Sequence, residues 1–262
     1  MNVEITTLDL SFRRRSIIGY SVGMALYVLV VVALYPSFKD ATNLDQLTKD
    51  SPGVAALFGI SGSLTSPTGW LSANIYANFF PVLLLLITIG YGAWCLAGQE
   101  GDGRLELVMS LPFARRQIVV QKLGVLTILS LIFSVVVFLC VWVGVWFELT
   151  FDLASLAGAT LGVALLGIDL GVLALAIGAL TGSRGTAIAI AATVAAASYL
   201  ISSMAPLVGW LEPFRYASLF YWAVGNGQLD GGLSWGSFAV LVGTGVAVAI
   251  AAIAAFERHD VS

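Results

Sequence analysis

The sequence predicts an all-α, polytopic membrane protein with about six transmembrane helices, and three observations predict it. The 262 residues are 59% hydrophobic and only 10% charged, with a mean hydropathy of +0.96. A soluble domain carries about 25% charged residues. Six apolar runs reach the length of about 20 residues that a helix needs to cross a bilayer. The runs are long and continuous, not short and alternating, so helices are expected and a barrel is not. The whole chain, 1–262, reads as one transmembrane domain.

The elements follow in order. Residues 1–15 form a polar opening segment that ends in Arg13, Arg14 and Arg15. The apolar run behind it exceeds the roughly 7–15 residues of a signal-peptide core, so it reads as a first span and not as a cleaved leader. Spans are expected near 16–35, 73–97, 123–147, 156–180, 186–207 and 234–256. The 36–72 connection holds Pro36, Pro52, Pro67 and many Gly, Ser and Thr residues. It reads as a short amphipathic helix flanked by turns. The 181–185 connection, TGSRG, is very short. The 206–233 stretch carries Trp210, Phe214, Tyr216, Phe220, Tyr221 and Trp222, which suit the membrane–water boundary. Its Glu212, Arg215, Asp230 and glycines argue against a crossing. It reads as short re-entrant helices in the outer leaflet before the last span.

Six spans place both termini on one side, and the cations say which. Arg13, Arg14, Arg15, Arg104, Arg115, Arg116, Lys122, Arg184 and Arg258 fall on the side of the termini. Lys39, Lys49 and Arg215 fall on the other, completing the 12 Lys and Arg residues. The positive-inside rule then makes both termini cytoplasmic.

Several residues within the spans stand out. Asp169 lies at mid-span in LLGIDLGVL, where a carboxylate costs roughly 2.5–3.5 kcal/mol on insertion scales. It reads either as a proton, cation or substrate group or as a hydrogen-bonded tie between helices. Asn74 and Asn78 stand four apart before Pro81, either lining a pathway or bonding a neighbouring helix. Gly158 and Gly162, Gly167 and Gly171, and Ala174 and Gly178 are each four apart, as are Ala187, Ala191 and Ala195. Such faces let helices approach closely, within the chain or, for the fifth span, against a second copy. Cys95 and Cys140 read as small buried hydrophobes. No H-E-x-x-H and no metal-ligand spacing is present in the sequence, and the glycines after the second span lack the Gly-Lys-Ser/Thr of a phosphate-binding loop.

The remaining feature is the 98–122 connection, GQEGDGRLELVMSLPFARRQIVVQK. Its seven charges would cost on the order of 20 kcal/mol inside the bilayer, so it lies at or beyond the cytoplasmic surface. Glycines let it turn away from the second span. RLELVMSL suits a helix of about two turns, with Leu105, Val108 and Met109 on one face. Pro112 ends it. Arg115, Arg116 and Lys122 then lead to the membrane, where cations suit anionic headgroups. So short a helix is unstable alone in water. It needs a surface to rest on, either the membrane or another protein.

This loop resembles that of permeases of the ATP-binding-cassette type-2 exporter family. The shared pattern is Glu100, a small-residue turn at Gly103, Leu105-Glu106-Leu107, then Ser110-Leu111-Pro112, Arg115 and Lys122. Asp102-Gly103 departs from the commoner Gly-Thr. The basic start, six spans, long first outer loop and aromatic segment before the last span extend the resemblance at pattern level.

The resemblance implies a coupling helix that docks in a groove on a separate ATPase subunit, with two permeases and two ATPases in the working exporter. ATP and magnesium would be bound by that partner and no cofactor by this chain. Glu100, Arg104, Leu105, Glu106, Leu107, Met109, Leu111, Pro112 and Arg115 are the implied contact residues, with a smaller contact near Arg184. The opening segment is similar to a connecting helix on the inner membrane surface. The implied setting is the plasma or inner membrane of a prokaryote, with membrane lipid around it and no nucleic acid. Members handle drugs, peptides, lipids and polysaccharides; an apolar cavity with few fixed charges suits amphipathic or lipid-like cargo. Two other readings stand beside this one: a proton- or ion-coupled carrier built on Asp169, and a non-transporting membrane scaffold.

Overall fold

A computed structural model of the chain describes residues 4–41, 53, 63–99, 115–225, 227–232 and 234–258. All regular structure among them is helical. Helix α1 runs Glu4–Phe38. The second span is composite: α2 (Pro67–Leu71), a π-turn (Ser72–Tyr76), α3 (Phe79–Ala93) and another π-turn (Trp94–Gly98). Helix α4 (Arg115–Trp142) ends in a 3-10 turn, Val143–Phe147. Then come α5 (Leu153–Thr181) and α6 (Arg184–Met204). A 3-10 turn (Glu212–Ala217), a π-turn (Tyr221–Gly225) and α7 (Gln228–Gly231) precede α8 (Trp235–Arg258). Six stretches are long and apolar enough to cross a membrane: Asp9–Phe38, Pro67–Gly98, Arg116–Phe147, Leu153–Thr181, Arg184–Met204 and Trp235–Glu257.

Two boundaries differ from expectation, each for a local reason. The opening segment is not a separate surface helix. It is continuous with the first span, because Thr6 and Asp9 turn into the bundle and are buried there. The second span starts six residues early because Ser66 caps it, its hydroxyl accepting from Gly69 N at 3.1 Å, and Pro67 occupies the first turn.

The interior of the second span is irregular for a reason that can be followed bond by bond. Ala77 N reaches back five residues to Ser72 O at 2.8 Å, leaving Ala73 O without its usual donor. The Asn78 side-chain amide donates to Ala73 O at 3.0 Å. The Asn74 amide likewise donates to Trp70 O at 2.9 Å. Pro81, which has no N–H, follows directly. The asparagines therefore repair a helix that changes pitch.

Helix α5 is the centre of the bundle. Its apolar window is 72% buried, against 22% for α6 and 17% for α8, and α3, α4, α6 and α8 all pack on it. Its glycines explain the position. A Cβ on Gly92 of α3 would lie 2.1 Å from Gly171 O, so the two backbones cross in contact. A Cβ on Gly162 would lie 2.4 Å from Ala223 O, where the outer segment closes over α5. Ala187, Ala191 and Ala195 of α6 are buried with Ile89, Ala93, Leu170 and Ala174. The small-residue faces of α5 and α6 are thus used within the chain.

The α5–α6 connection is two residues, Gly182 and Ser183. Gly182 takes φ 62°, which ends α5, and the Ser183 hydroxyl accepts from Thr186 N at 3.4 Å to start α6. Alternation of the spans puts this turn, both termini and the two stems of the 98–122 loop at one end, called here the terminal end.

Candidate coupling site

The loop that the sequence singles out is bounded by Gln99 and by Arg115, the first residue of α4. Glu100, Arg104, Leu105, Glu106, Leu107, Met109, Leu111 and Pro112 fall within 100–114 and lie outside the described residues. Gln99 is 6% exposed, and its amide oxygen has no hydrogen-bond partner among the described residues. Arg116 is exposed on α4, and Arg184 is exposed at the start of α6.

Lys122 is the correction. Expected among lipid headgroups, it is 1% exposed and lies inside the bundle. Its Nζ donates to Asp9 Oδ2 at 2.7 Å. The Tyr91 hydroxyl donates to the same oxygen at 2.9 Å. The Arg13 guanidinium lies over Tyr91, 4.9 Å from its centroid, and over Trp94, 4.4 Å away. Thr6 Oγ1 donates to Gln121 O at 3.4 Å. A buried lysine needs such a partner, because an uncompensated charge in a low dielectric is strongly unfavourable. The cluster joins three elements: the first turns of α1, the end of the second span and the start of the third. The last two are the stems of the loop.

Sequence reasoning passed over Asp9, Tyr91 and Trp94. The available signal was a lone carboxylate in TTLDLSFRRR, one turn before Arg13, and a lone lysine at the edge of an apolar run. Neither says which helix the other will meet.

Within the spans, Asp169 is 4% exposed and its Oδ2 accepts from Thr244 Oγ1 of α8 at 3.0 Å. A Cβ on Gly245 would lie 2.4 Å from Asp169 Oδ1, so α8 passes directly over the carboxylate. Asn78 Oδ1 accepts from Tyr199 of α6 at 2.8 Å, and Asn74 O accepts from Tyr27 of α1 at 3.1 Å. Tyr76 and Thr160 share a hydrogen bond of 2.8 Å between the second and fourth spans. Asp169, Asn78 and Tyr76 thus each hydrogen-bond a residue of another span.

At the opposite end, Lys39 pairs with Glu148, and that hydrogen bond raises the ammonium above the ordinary lysine range. Arg215 donates to the Tyr216 hydroxyl at 2.8 Å and stacks over Tyr216 and Tyr221. The bond to Tyr216 raises Arg215 further above the usual range. Trp210, Phe214 and Tyr216 around it are 73%, 54% and 52% exposed, as rings at a membrane–water boundary should be.

A bundle of six apolar helices with an ordered, charged end is the setting for the comparison with known families. A model described as "ABC-2 family transporter protein" matches residues 3–261. The chain belongs to the ABC-2 family of transporter proteins. It is a permease of an ABC transporter and a multi-pass membrane protein. The family supplies the membrane component, not the ATPase. No curated protein matches the chain.

Proposed function

We propose that this ABC-2 permease is the membrane half of an ATP-driven exporter and couples to a separate ATPase through its 98–122 loop. The observation that carries the reading is the family match over nearly the whole chain. It is joined to a charged loop with one stem held to α1 by the buried Asp9–Lys122 ion pair and the other by the hydrogen bond from Tyr91 to Asp9. A helix as short as the loop sequence suits needs a second surface to rest on. Leu105, Leu107, Met109 and Leu111 enter the ATPase groove; Glu100, Arg104, Glu106 and Arg115 pair at its rim; Pro112 ends the helix. Arg184, exposed at the same end, makes the smaller contact. The ATPase carries ATP and magnesium. Two permeases and two ATPases enclose the pathway in the plasma membrane of a prokaryote, with the termini in the cytoplasm.

The test is a loop variant, Glu106→Lys with Leu107→Asp. It should insert in the membrane at the wild-type level but lose the co-purifying ATPase, roughly tenfold or more in recovered ATP hydrolysis, as expected when central anchors of an interface are removed. Wild-type recovery by that variant overturns the docking role of the loop.

A further inference from the structure

We propose that Asp9, Lys122, Tyr91 and Arg13 form a clamp that makes the start of α1 move as one body with both stems of the cytoplasmic loop. This rests on the coupling reading above and adds to it a route by which the loop acts on the bundle. One carboxylate oxygen, Asp9 Oδ2, accepts from a residue on each stem: Tyr91 from the second span and Lys122 from the third. Arg13 is stacked on Tyr91 and Trp94 of the same stem. Neither stem can shift relative to α1 without separating a buried charge from its partner. Stability alone does not require this arrangement, since apolar residues of similar volume hold helices together as well or better. What a shared oxygen adds is one specified geometry for three elements.

Helix α1 then carries the movement away. It is unbroken over Glu4–Phe38, about 50 Å at 1.5 Å per residue. At the opposite end it is tied again. Trp70 Nε1 donates to Val31 O at 3.0 Å, and the Tyr35 hydroxyl donates to Thr65 O at 3.1 Å. A displacement of the loop is delivered by α1 to the start of the second span.

The experiment places a cysteine at Ser37, exposed at the far end of α1, in a Cys140→Ala background; Cys95 is buried. The rate of reaction with a membrane-impermeant maleimide is read in the co-purified complex, with and without ATP and vanadate. In the otherwise native chain, nucleotide changes that rate. In Asp9→Asn and in Lys122→Met the ATPase still co-purifies and hydrolyses ATP, while the nucleotide effect falls at least about fivefold, the scale of a lost coupling between two sites. A wild-type nucleotide effect in either variant overturns the clamp, as does a native chain with active ATPase and no nucleotide effect. Should both variants fail to insert, Thr6→Cys with Gln121→Cys is joined by a short crosslinker. A retained nucleotide effect supports movement as one body; its loss overturns it. Absence of any co-purifying ATPase from the native chain is a different result: it removes the coupling reading and the clamp with it.

Discussion

Asp169 shows how one residue can be read two ways and then narrowed by its neighbours. A mid-span carboxylate invites a proton-carrier reading. Its carboxylate accepts from one hydroxyl, Thr244, and lies against the backbone at Gly245. If it is a tie, Asp169→Asn keeps an acceptor for Thr244 and leaves ATP hydrolysis by the complex unchanged. A chain that dissipates an imposed pH gradient by itself, and loses that activity in Asp169→Asn, would instead be the carrier. Thr244→Val removes the tie from the other side. It should cost about 0.6 kcal/mol in an unfolding titration in detergent, the average for such bonds between membrane helices, and no more than about 1.7 kcal/mol. Lys122 teaches the opposite lesson. Its position in the sequence pattern was visible, but its surroundings were not. Burial of a lysine is decided by a partner 113 residues away, and no local periodicity reports a distance of that kind.

At the scale of elements, the crossing of α3 and α5 is tightly specified. The facing groups are backbone atoms of Gly92 and Gly171, which cannot rotate away as a side chain would. Gly92→Val should therefore force the helices apart and destabilise the fold by about 1–3 kcal/mol, the range for overpacking. Gly124→Ala, where an added Cβ meets nothing within 4 Å, is the matched control in the same titration. The spans themselves were legible because apolar length is a property of the sequence alone. Their ends were less so. The cap at Ser66 moved one boundary and the burial of Asp9 moved another. The role of Asn74 and Asn78 was half legible. Two polar side chains before a proline read as lining a pathway or bonding a neighbouring helix, but their bonds to the carbonyls of Trp70 and Ala73, like the partner of Asn78, Tyr199 on α6, belong to the fold.

For the whole molecule, the arrangement is one buried helix, α5, ringed by spans whose outer faces are apolar and uncovered within the chain. The long α1 exposes Phe12, Ile18, Val22 and Leu26. Such faces suit lipid or another membrane subunit. The sidedness expected of the bundle rests on charge, since the sequence assigns nine cations to the side of the termini and three to the other. Single cysteines check it. In intact cells, Arg184→Cys should be protected from an impermeant maleimide and Phe214→Cys should react; the reverse pattern would invert the topology. The family was legible because the loop pattern is local in sequence. The clamp beneath that loop was not, since it forms only when the first, second and third spans meet.

The central claim is that this permease works through an ATPase it does not contain, and purification from its own membrane measures this most directly. The tagged chain should bring down a second protein in comparable amount, and the complex should hydrolyse ATP in a vanadate-sensitive way that the loop variant Glu106→Lys with Leu107→Asp loses. A chain that purifies alone, with no ATP hydrolysis above background, would contradict the account.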